Sequence, residues 1–535
     1  MKSGKRYLPK DEIYPLIGLN TLDPSPQANP HTSPDTKNMV FTKGIVQKRT
    51  GYSYLGTTLT DPVIGVVEYE SLTGTKTLLA FTTKKQYKFD TSTLDWVNIT
   101  YQSGGVDVNW TGVESDTLDY AIVSGLDGSS VFKKWVVITN GKDQPRYWDG
   151  AAAKFALYAP AGITGFVTCK TITGYFNQVV MGNVKTASDN VTAVYWSNLQ
   201  SLISFDSSVS DGGTGIAIMT DVDGPIQRLV PLADRCYIFT LNSIHAMQYV
   251  GGAIGMTFVK LMQESRLLSS RSVVNIGQYL LYMSQENIVL FDGTTLTREI
   301  GDRIYRGYRD ELYASKRHFS FAFHDAAKRQ VYFCYPTAND ESHFYNVEYQ
   351  VGDMSNSVWS RLKYKDRFIS MGFFSRDQNL KWNSPQIAGV GWDQSLTSWA
   401  QGSIKGGFPV RVAGTSSGRV VLLDDTAQND ANTAVDAWWD SIDFTVPSGY
   451  QSEYGRWIEI ELELRGFEAE IYYTKDQGQS YTFVKKLTLT NQWTKYKVNI
   501  DVMSKNLRIK VKNDCPSSWI QGRWLRLWVT PGGAA

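Results

Sequence analysis

A hairpin unit recurs through the middle of the chain: an apolar strand, a small polar turn, a second strand carrying an aromatic, and then often Asp or Asp-Gly. It runs from Leu78 to Asp90, from Val136 to Gly150, from Cys236 to Tyr249 and from Leu280 to Gly293, and looser copies begin at Gln178, Val331 and Val412. One small sheet cannot bury both of its faces, so copies of such a unit pack face to face around an axis. Their spacing, roughly 40 to 75 residues, suits four-stranded blades with loop insertions. The expectation is an all-β chain with a six- or seven-bladed β-propeller over residues 55–435, in which Phe89, Trp148, Tyr249, Phe291 and Leu423 take equivalent inner-strand positions. The competing arrangement is a set of unrelated hairpins divided between two β-sandwiches.

The flanks have a different texture. Six of the 17 prolines lie in the first fifty or so residues. Proline fixes φ and removes a backbone donor, so residues 1–54 are expected to be an extended N-terminal arm with little regular structure. The arm carries Lys2, Lys5, Arg6, Lys10, Lys37, Lys43, Lys48 and Arg49 against Asp11, Glu12, Asp23 and Asp35. A basic arm of this kind either straps its own domain or docks on a partner. Backbone groups left unpaired within it point to order gained against a neighbouring subunit. After about residue 440 strict alternation sets in, with Ile458, Ile460, Leu462 and Leu464 on one face of a strand and Glu459, Glu461, Glu463 and Arg465 on the other. That is a strand with one wet face. Residues 436–535 are expected to form a separate β-sandwich, and cutting the chain near residue 435 to leave a soluble remainder. One helix is expected, Asp302 to Arg317, with Asp302 as its N-cap and Ile304, Tyr305, Tyr308 and Leu312 along one face.

Composition bounds the chemistry. The 535 residues carry 54 basic and 52 acidic side chains, a net charge of +2. That balance supplies no broad positive field for holding phosphates, so tight DNA wrapping is disfavoured. The opening Met1 to Arg6 is followed by Asp11-Glu12 and prolines where a secretory signal needs an apolar stretch, and no apolar run approaches the roughly 18 residues that cross a bilayer. Cys169, Cys236, Cys334 and Cys515 lie far apart, as reduced, buried thiols do. His31, His245, His318, His324 and His343 show no metal-ligand spacing, so neither a metal nor another cofactor is expected.

Three short motifs bear on activity. Gly414-Thr415-Ser416-Ser417-Gly418 matches the nucleophile-elbow pattern, but Arg419 to Leu423 continues as a strand where that motif needs a helix, so it reads as a β-turn. Asp424, Asp425 and Asp430 lack the spacing of a calcium loop. Thr474 to Tyr481 resembles the Asp-box, in which Asp caps a hairpin turn, Gly takes a positive φ and the aromatic packs beneath. No catalytic residue is assigned, and the chain is expected not to be an enzyme.

The arm segments Gly18-Leu19-Asn20-Thr21, Ser33-Pro34-Asp35-Thr36-Lys37-Asn38-Met39 and Gly44-Ile45-Val46-Gln47-Lys48-Arg49-Thr50-Gly51-Tyr52 resemble the opening of tailed-bacteriophage virion proteins, with Thr50 where proline is usual. Ser265 to Ser269, Ser272 to Val274, Leu281 to Ser284 and Phe291 to Gly293 resemble the blade signature of the same proteins, and Tyr335-Pro336, Tyr345-Asn346 and Val358-Trp359-Ser360 continue it. The match spans most of residues 18–425. It implies a tail nozzle (tail tubular) or tail hub protein of short-tailed phages: a structural β-propeller subunit of a homohexameric ring below the portal and adaptor. The implied partners are the portal-proximal adaptor and the tail fibres, with transient passage of viral DNA and no membrane insertion. The implied location is the virion tail, after synthesis in the host cytoplasm. A conduit that held phosphates tightly would stall ejection, so duplex DNA should bind negligibly at physiological salt. The alternatives are a propeller that binds or cleaves host-surface glycans, and an interaction scaffold.

Overall fold

A computed structural model describes residues 17–23, 28–42, 44–187, 189–206, 213–251, 255–294, 297–338, 342–350, 353–375, 409–423, 425–446, 454–516 and 518–531. Lys2, Lys5, Arg6, Lys10, Asp11, Glu12 and Lys43 of the arm, and Asp424, lie outside them.

The chain is all-β, built from many small antiparallel sheets. Five consist of four consecutive strands in meander order. Sheet 1 runs from Val63–Glu70 to Asp95–Asn98, sheet 2 from Asp119–Leu126 to Ala156–Leu157 and sheet 3 from Thr168–Tyr175 to Gly215–Ile218. Sheet 4 runs from Ile226–Leu232 to Gly255–Gln263, and sheet 5 from Val273–Asn275 to Thr297–Glu299. Sheet 6, Phe321–Asp325 to Asp353–Lys363, is extended by the arm strands Gly18–Leu19 and Thr32–Ser33. Sheet 7 comprises Phe368–Phe374, Val410–Thr415 and Val420–Leu423, and its fourth strand is Ser53–Leu55, brought from the arm.

Each sheet packs on the next through its own apolar cluster. Phe81 and Trp148 join sheets 1 and 2, Val137 and Ile172 join 2 and 3, and Val194 and Ile238 join 3 and 4. Phe239 and Tyr282 join 4 and 5, Leu281 and Phe333 join 5 and 6, and Phe323 and Val421 join 6 and 7. Phe89 with Phe374 and Val412 then joins sheet 7 back to sheet 1. The first strands of successive sheets touch one another from sheet 2 round to sheet 7 and on to sheet 1. Phe89, Trp148, Tyr249, Phe291 and Leu423 do hold equivalent places, but in the third strand of their sheets. The expected inner-strand position is corrected: periodicity identifies equivalent positions and carries no information about radial order.

The Asp-Gly that closes the recurring unit has a physical cause. Gly150 and Gly293 both sit at φ +86°, a conformation L side chains rarely adopt. Each receives a tyrosine from the preceding sheet. The Tyr237 hydroxyl donates to the Gly293 carbonyl at 2.7 Å, and the Tyr69 hydroxyl lies 2.9 Å from the Asp149 carbonyl. A Cβ at Gly293 would stand 2.6 Å from the Tyr237 hydroxyl. Gly293→Ala is therefore expected to destabilise the chain by about 1–3 kcal/mol in urea denaturation. A loss below about 0.5 kcal/mol would show that the turn tolerates a side chain.

Beyond sheet 7 two further sheets face each other across one core. One is ordered Met39–Thr42, Ile45–Lys48, Ile520–Pro531, Gly455–Gly466, Thr494–Ser504. The other is ordered Thr36–Lys37, Ala437–Asp440, Asn506–Asn513, Glu468–Thr474, Thr482–Thr488. Ile460, Leu462 and Leu464 meet Ile471, Ile509 and Val511 inside. A bulge between Trp457 and Glu459 puts Trp457, not the expected Ile458, on the inner face.

The arm differs most from expectation. Its described residues are extended, yet they supply strands to sheets 6 and 7 and to both C-terminal sheets, and Met39, Phe41 and Val46 belong to the C-terminal core. Its backbone is paired within the chain: Asn38 N–H donates to Arg361 O, Arg49 N–H to Asn38 O and Gly51 N–H to Ala427 O. Strand pairing and core contacts cross both expected boundaries, at 54 and at 435. The expected long helix is also shorter: a 3-10 turn Asp302–Ile304, an α-helix Tyr305–Glu311, and a second 3-10 segment Ala314–Phe319. Leu312 turns extended so that Tyr313 N–H reaches Pro336 O on sheet 6. Asp302 caps nothing; its carboxylate accepts from Asn287 Nδ2 at 2.9 Å.

Candidate functional site

The arm residues that carry the family resemblance converge where the arm crosses sheets 6 and 7 and the C-terminal pair. Arg49 is the centre. Its Nη1 and Nη2 donate to the two carboxylate oxygens of Asp430 at 2.8 and 2.6 Å. Nε donates to Asn38 Oδ1 at 2.9 Å, and the remaining donors reach Lys363 O and Thr50 O at 2.6 and 3.0 Å. The guanidinium also lies over the Tyr364 ring, 4.0 Å from its centroid. Next to it Lys48 places its ammonium on three acceptors, Asn513 Oδ1, Cys515 O and Ser518 O, at 2.7, 2.9 and 3.2 Å. Burial lowers this ammonium to about 8. Gly51 is required because a Cβ there would stand 1.8 Å from Asn429 O. Tyr52 packs between sheets 6 and 7 and donates to Asp366 Oδ2 at 2.7 Å.

A second network holds the arm through Asp35. Arg361 donates to Asp35 at 2.6 Å and to Glu311, on the short helix, at 2.9 Å. Tyr335 gives a further hydrogen bond to Glu311 at 2.7 Å. Burial pushes the Glu311 carboxyl up, but hydrogen bonds from His343 and Tyr335 and the Arg361 charge outweigh it, and the group titrates below its ordinary value. In the C-terminal pair, Asp440 is fully enclosed, and burial raises it to about 7 against the opposing pull of Lys510, Tyr481 and Arg508.

The groups that could have done chemistry are placed in structural roles. Gly414 to Gly418 is the turn between Val410–Thr415 and Val420–Leu423, with Gly418 at φ +79°. Asp425 pairs with Lys328 and Arg411, and Asp430 with Arg49, so these two carboxylates sit in ion pairs. Asp476 caps the hairpin between Glu468–Thr474 and Thr482–Thr488: its side chain accepts from Ser480 N–H at 2.9 Å, Gly478 takes φ +94°, and Tyr481 reaches under the turn to Asp440. Sequence reading missed one pair, Ser243 Oγ and His245 Nε2, 2.9 Å apart. It has the contact of a nucleophile and base but is sealed from solvent, and Ser243 is also held by Thr240, so it fixes a strand turn. Among the described residues no cluster of ligands suits a metal ion.

Two openings among the described residues lie between sheets. A cleft of about 1400 Å³ separates sheets 6 and 7 from the C-terminal pair, with Arg329 and Glu348 on one wall and Arg465 and Trp519 on the other. The second, about 510 Å³, lies where the loops around the first strands converge, and Asn140, Lys142, Lys170, Gln227, Ser270 and His318 contribute to its wall. Elsewhere among the first strands, Arg228 on sheet 4 pairs with Asp119 on sheet 2 at 2.7 Å, and Arg271 Nη1 donates to Ile369 O on sheet 7, also at 2.7 Å. No local sequence signal marks this axial cavity, because its walls come from loops and first strands scattered from residue 115 to residue 318.

No family model and no curated protein matches this chain. Among solved structures, a chain of the Mitotic Checkpoint Complex is similar at TM-score 0.36 and 6% identity, covering 69% of this chain and 92% of that one. PorZ, a surface component of the type-IX secretion system of Porphyromonas gingivalis, is similar at TM-score 0.36 and 9% identity, over 77% of this chain and 44% of that one. TmCBM61 in complex with beta-1,4-galactotriose is similar at TM-score 0.14 and 14% identity, over 18% of this chain and 64% of that one. At such scores these likenesses carry no argument about what this chain does.

Proposed function

We propose that the chain is a seven-bladed β-propeller with a C-terminal β-sandwich, and that it is a non-enzymatic structural virion protein: a ring-forming subunit of a short-tailed phage tail nozzle or hub. In this reading it sits below the portal and adaptor, contacts them and the tail fibres, and encloses the DNA exit path together with its copies. The observation that carries the reading is the arm anchor. Asp35, Asn38, Lys48, Arg49, Gly51 and Tyr52, the residues of the phage-like opening, all serve to lock propeller, arm and sandwich into one body. A ring subunit must transmit force between neighbours without its parts separating. In this reading the DNA path lies between copies of the chain and not within one subunit.

A surface for the neighbouring copy is available on sheet 3. Its outermost strand, Gly215–Ile218, is paired on one side only, and Ile216 and Ile218 are 49% and 58% exposed. An apolar edge strand of this kind invites association. Electron microscopy of the purified chain, or of a particle containing it, is the direct test. Closed homo-oligomeric rings are expected, and a monomer attached singly to a particle would overturn the reading. Replacing Ile216 and Ile218 together by Lys is expected to change the subunit's stability by less than about 0.5 kcal/mol while abolishing rings.

A further inference from the structure

Around the axial cavity basic groups outnumber acidic ones. Lys142 is paired with Asp116 at 3.2 Å. Among the described residues Lys170, on the first strand of sheet 3, donates only to the neutral Gln227 amide, at 2.6 Å, and Arg317 makes no ion pair. Ser270, buried in the wall, has a hydroxyl with no partner, and the adjacent Arg271 keeps an unpartnered Nε. The electrostatics agree with this geometry. Burial, and then the charges of Arg271, Arg367, Arg317 and Lys316, hold the His318 imidazole below its ordinary value, and burial lowers the Lys170 ammonium. Half-buried cations gathered with too few counter-charges are stabilised when an anion sits among them.

We propose that the axial cavity binds a phosphate- or sulfate-type oxyanion, free or as the head of a small organic ester, held by Lys170, Arg317 and Ser270. A guanidinium matches two oxygens of a tetrahedral anion, an ammonium adds a point charge, and the idle Ser270 hydroxyl supplies a third donor. The volume of about 510 Å³ lies in the range of small-molecule sites and leaves room for an organic group beyond the anion. The site does not depend on the ring reading, since every wall belongs to one chain.

The test is isothermal titration of the full chain with inorganic phosphate, sulfate and glucose 6-phosphate at constant ionic strength. Saturable binding is expected. Lys170→Met and Arg317→Gln should each weaken it about tenfold, and Ser270→Ala about threefold. Circular dichroism checks the fold of each variant, and Ser270→Ala, which breaks no hydrogen bond, decides if the charge variants fail to fold. Tighter binding of glucose 6-phosphate than of inorganic phosphate identifies an ester as the ligand, and equal binding identifies the free anion. Absence of saturable binding by all three probes, or binding undiminished in the folded variants, would overturn the site.

Discussion

Arg49→Met is expected to cost the chain about 3–5 kcal/mol of stability, a large part of the margin of any domain. All five guanidinium donors are used: two on Asp430, one on Asn38, one on Lys363 O and one on Thr50 O. Both members of the pair are almost fully enclosed, with side chains 3% and 4% exposed. Removing Arg49 leaves the Asp430 carboxylate buried, with the Lys365 N–H at 3.2 Å as its remaining hydrogen bond. The loss is therefore chiefly the penalty for an unpaired internal charge, not the worth of the contact itself. The double variant Arg49→Met with Asp430→Leu removes both charges and should recover more than half of it. Arg49→Lys keeps the charge but loses the bidentate geometry, and should fall between. Equilibrium urea denaturation of the four proteins gives the comparison. A loss below about 1 kcal/mol in the single Met variant would mean that Asp430 finds another partner or water.

Local chemistry was legible in the sequence where its cause is local. The Asp-Gly that closes the recurring unit, at Asp149-Gly150 and Asp292-Gly293, puts glycine where the backbone takes a positive φ. The Asp-box likewise closes a hairpin through hydrogen bonds spanning four residues. The failures are all non-local. Prolines in the arm correctly signalled an extended chain, but extended chain is also what a strand is. Only its partners, Asn38 with Arg361 and Arg49 with Asp430, show that it belongs to sheets formed hundreds of residues later. In the same way the 3.6-residue spacing of Ile304, Tyr308 and Leu312 promised one long helix, but Leu312 turns extended and Tyr313 bonds to sheet 6. The axial cavity was invisible for the same reason: Lys170 and Ser270 carry no motif and acquire meaning only once the sheets bring their first strands together.

That non-locality makes the second large effect an expected failure of dissection. Deleting residues 1–48 removes Thr36–Lys37 from one C-terminal sheet and the hairpin of Met39–Thr42 and Ile45–Lys48 from the other. It exposes the edge of Ile520–Pro531 and empties the places of Met39, Phe41 and Val46, each at most 2% exposed. At about 1.5–3 kcal/mol for each fully buried side chain, those three alone contribute roughly 5–9 kcal/mol, comparable to the whole stability of a domain. The shortened chain should aggregate or melt far below the intact protein, whether or not an assembly partner is present. Truncation at residue 435 should fail from the other side, since it strips the arm strands of their partners Ala437–Asp440 and Ile520–Pro531. A cooperative melt of the 1–435 fragment at the temperature of the intact chain would show that the arm refolds elsewhere. Loss of both fragments leaves one inference: sheets 1–7 and the C-terminal pair fold as a single cooperative unit, because Thr36–Lys37, Met39–Thr42 and Ile45–Lys48, which complete the pair, precede sheets 1–7 in the sequence and the strands that form most of it follow.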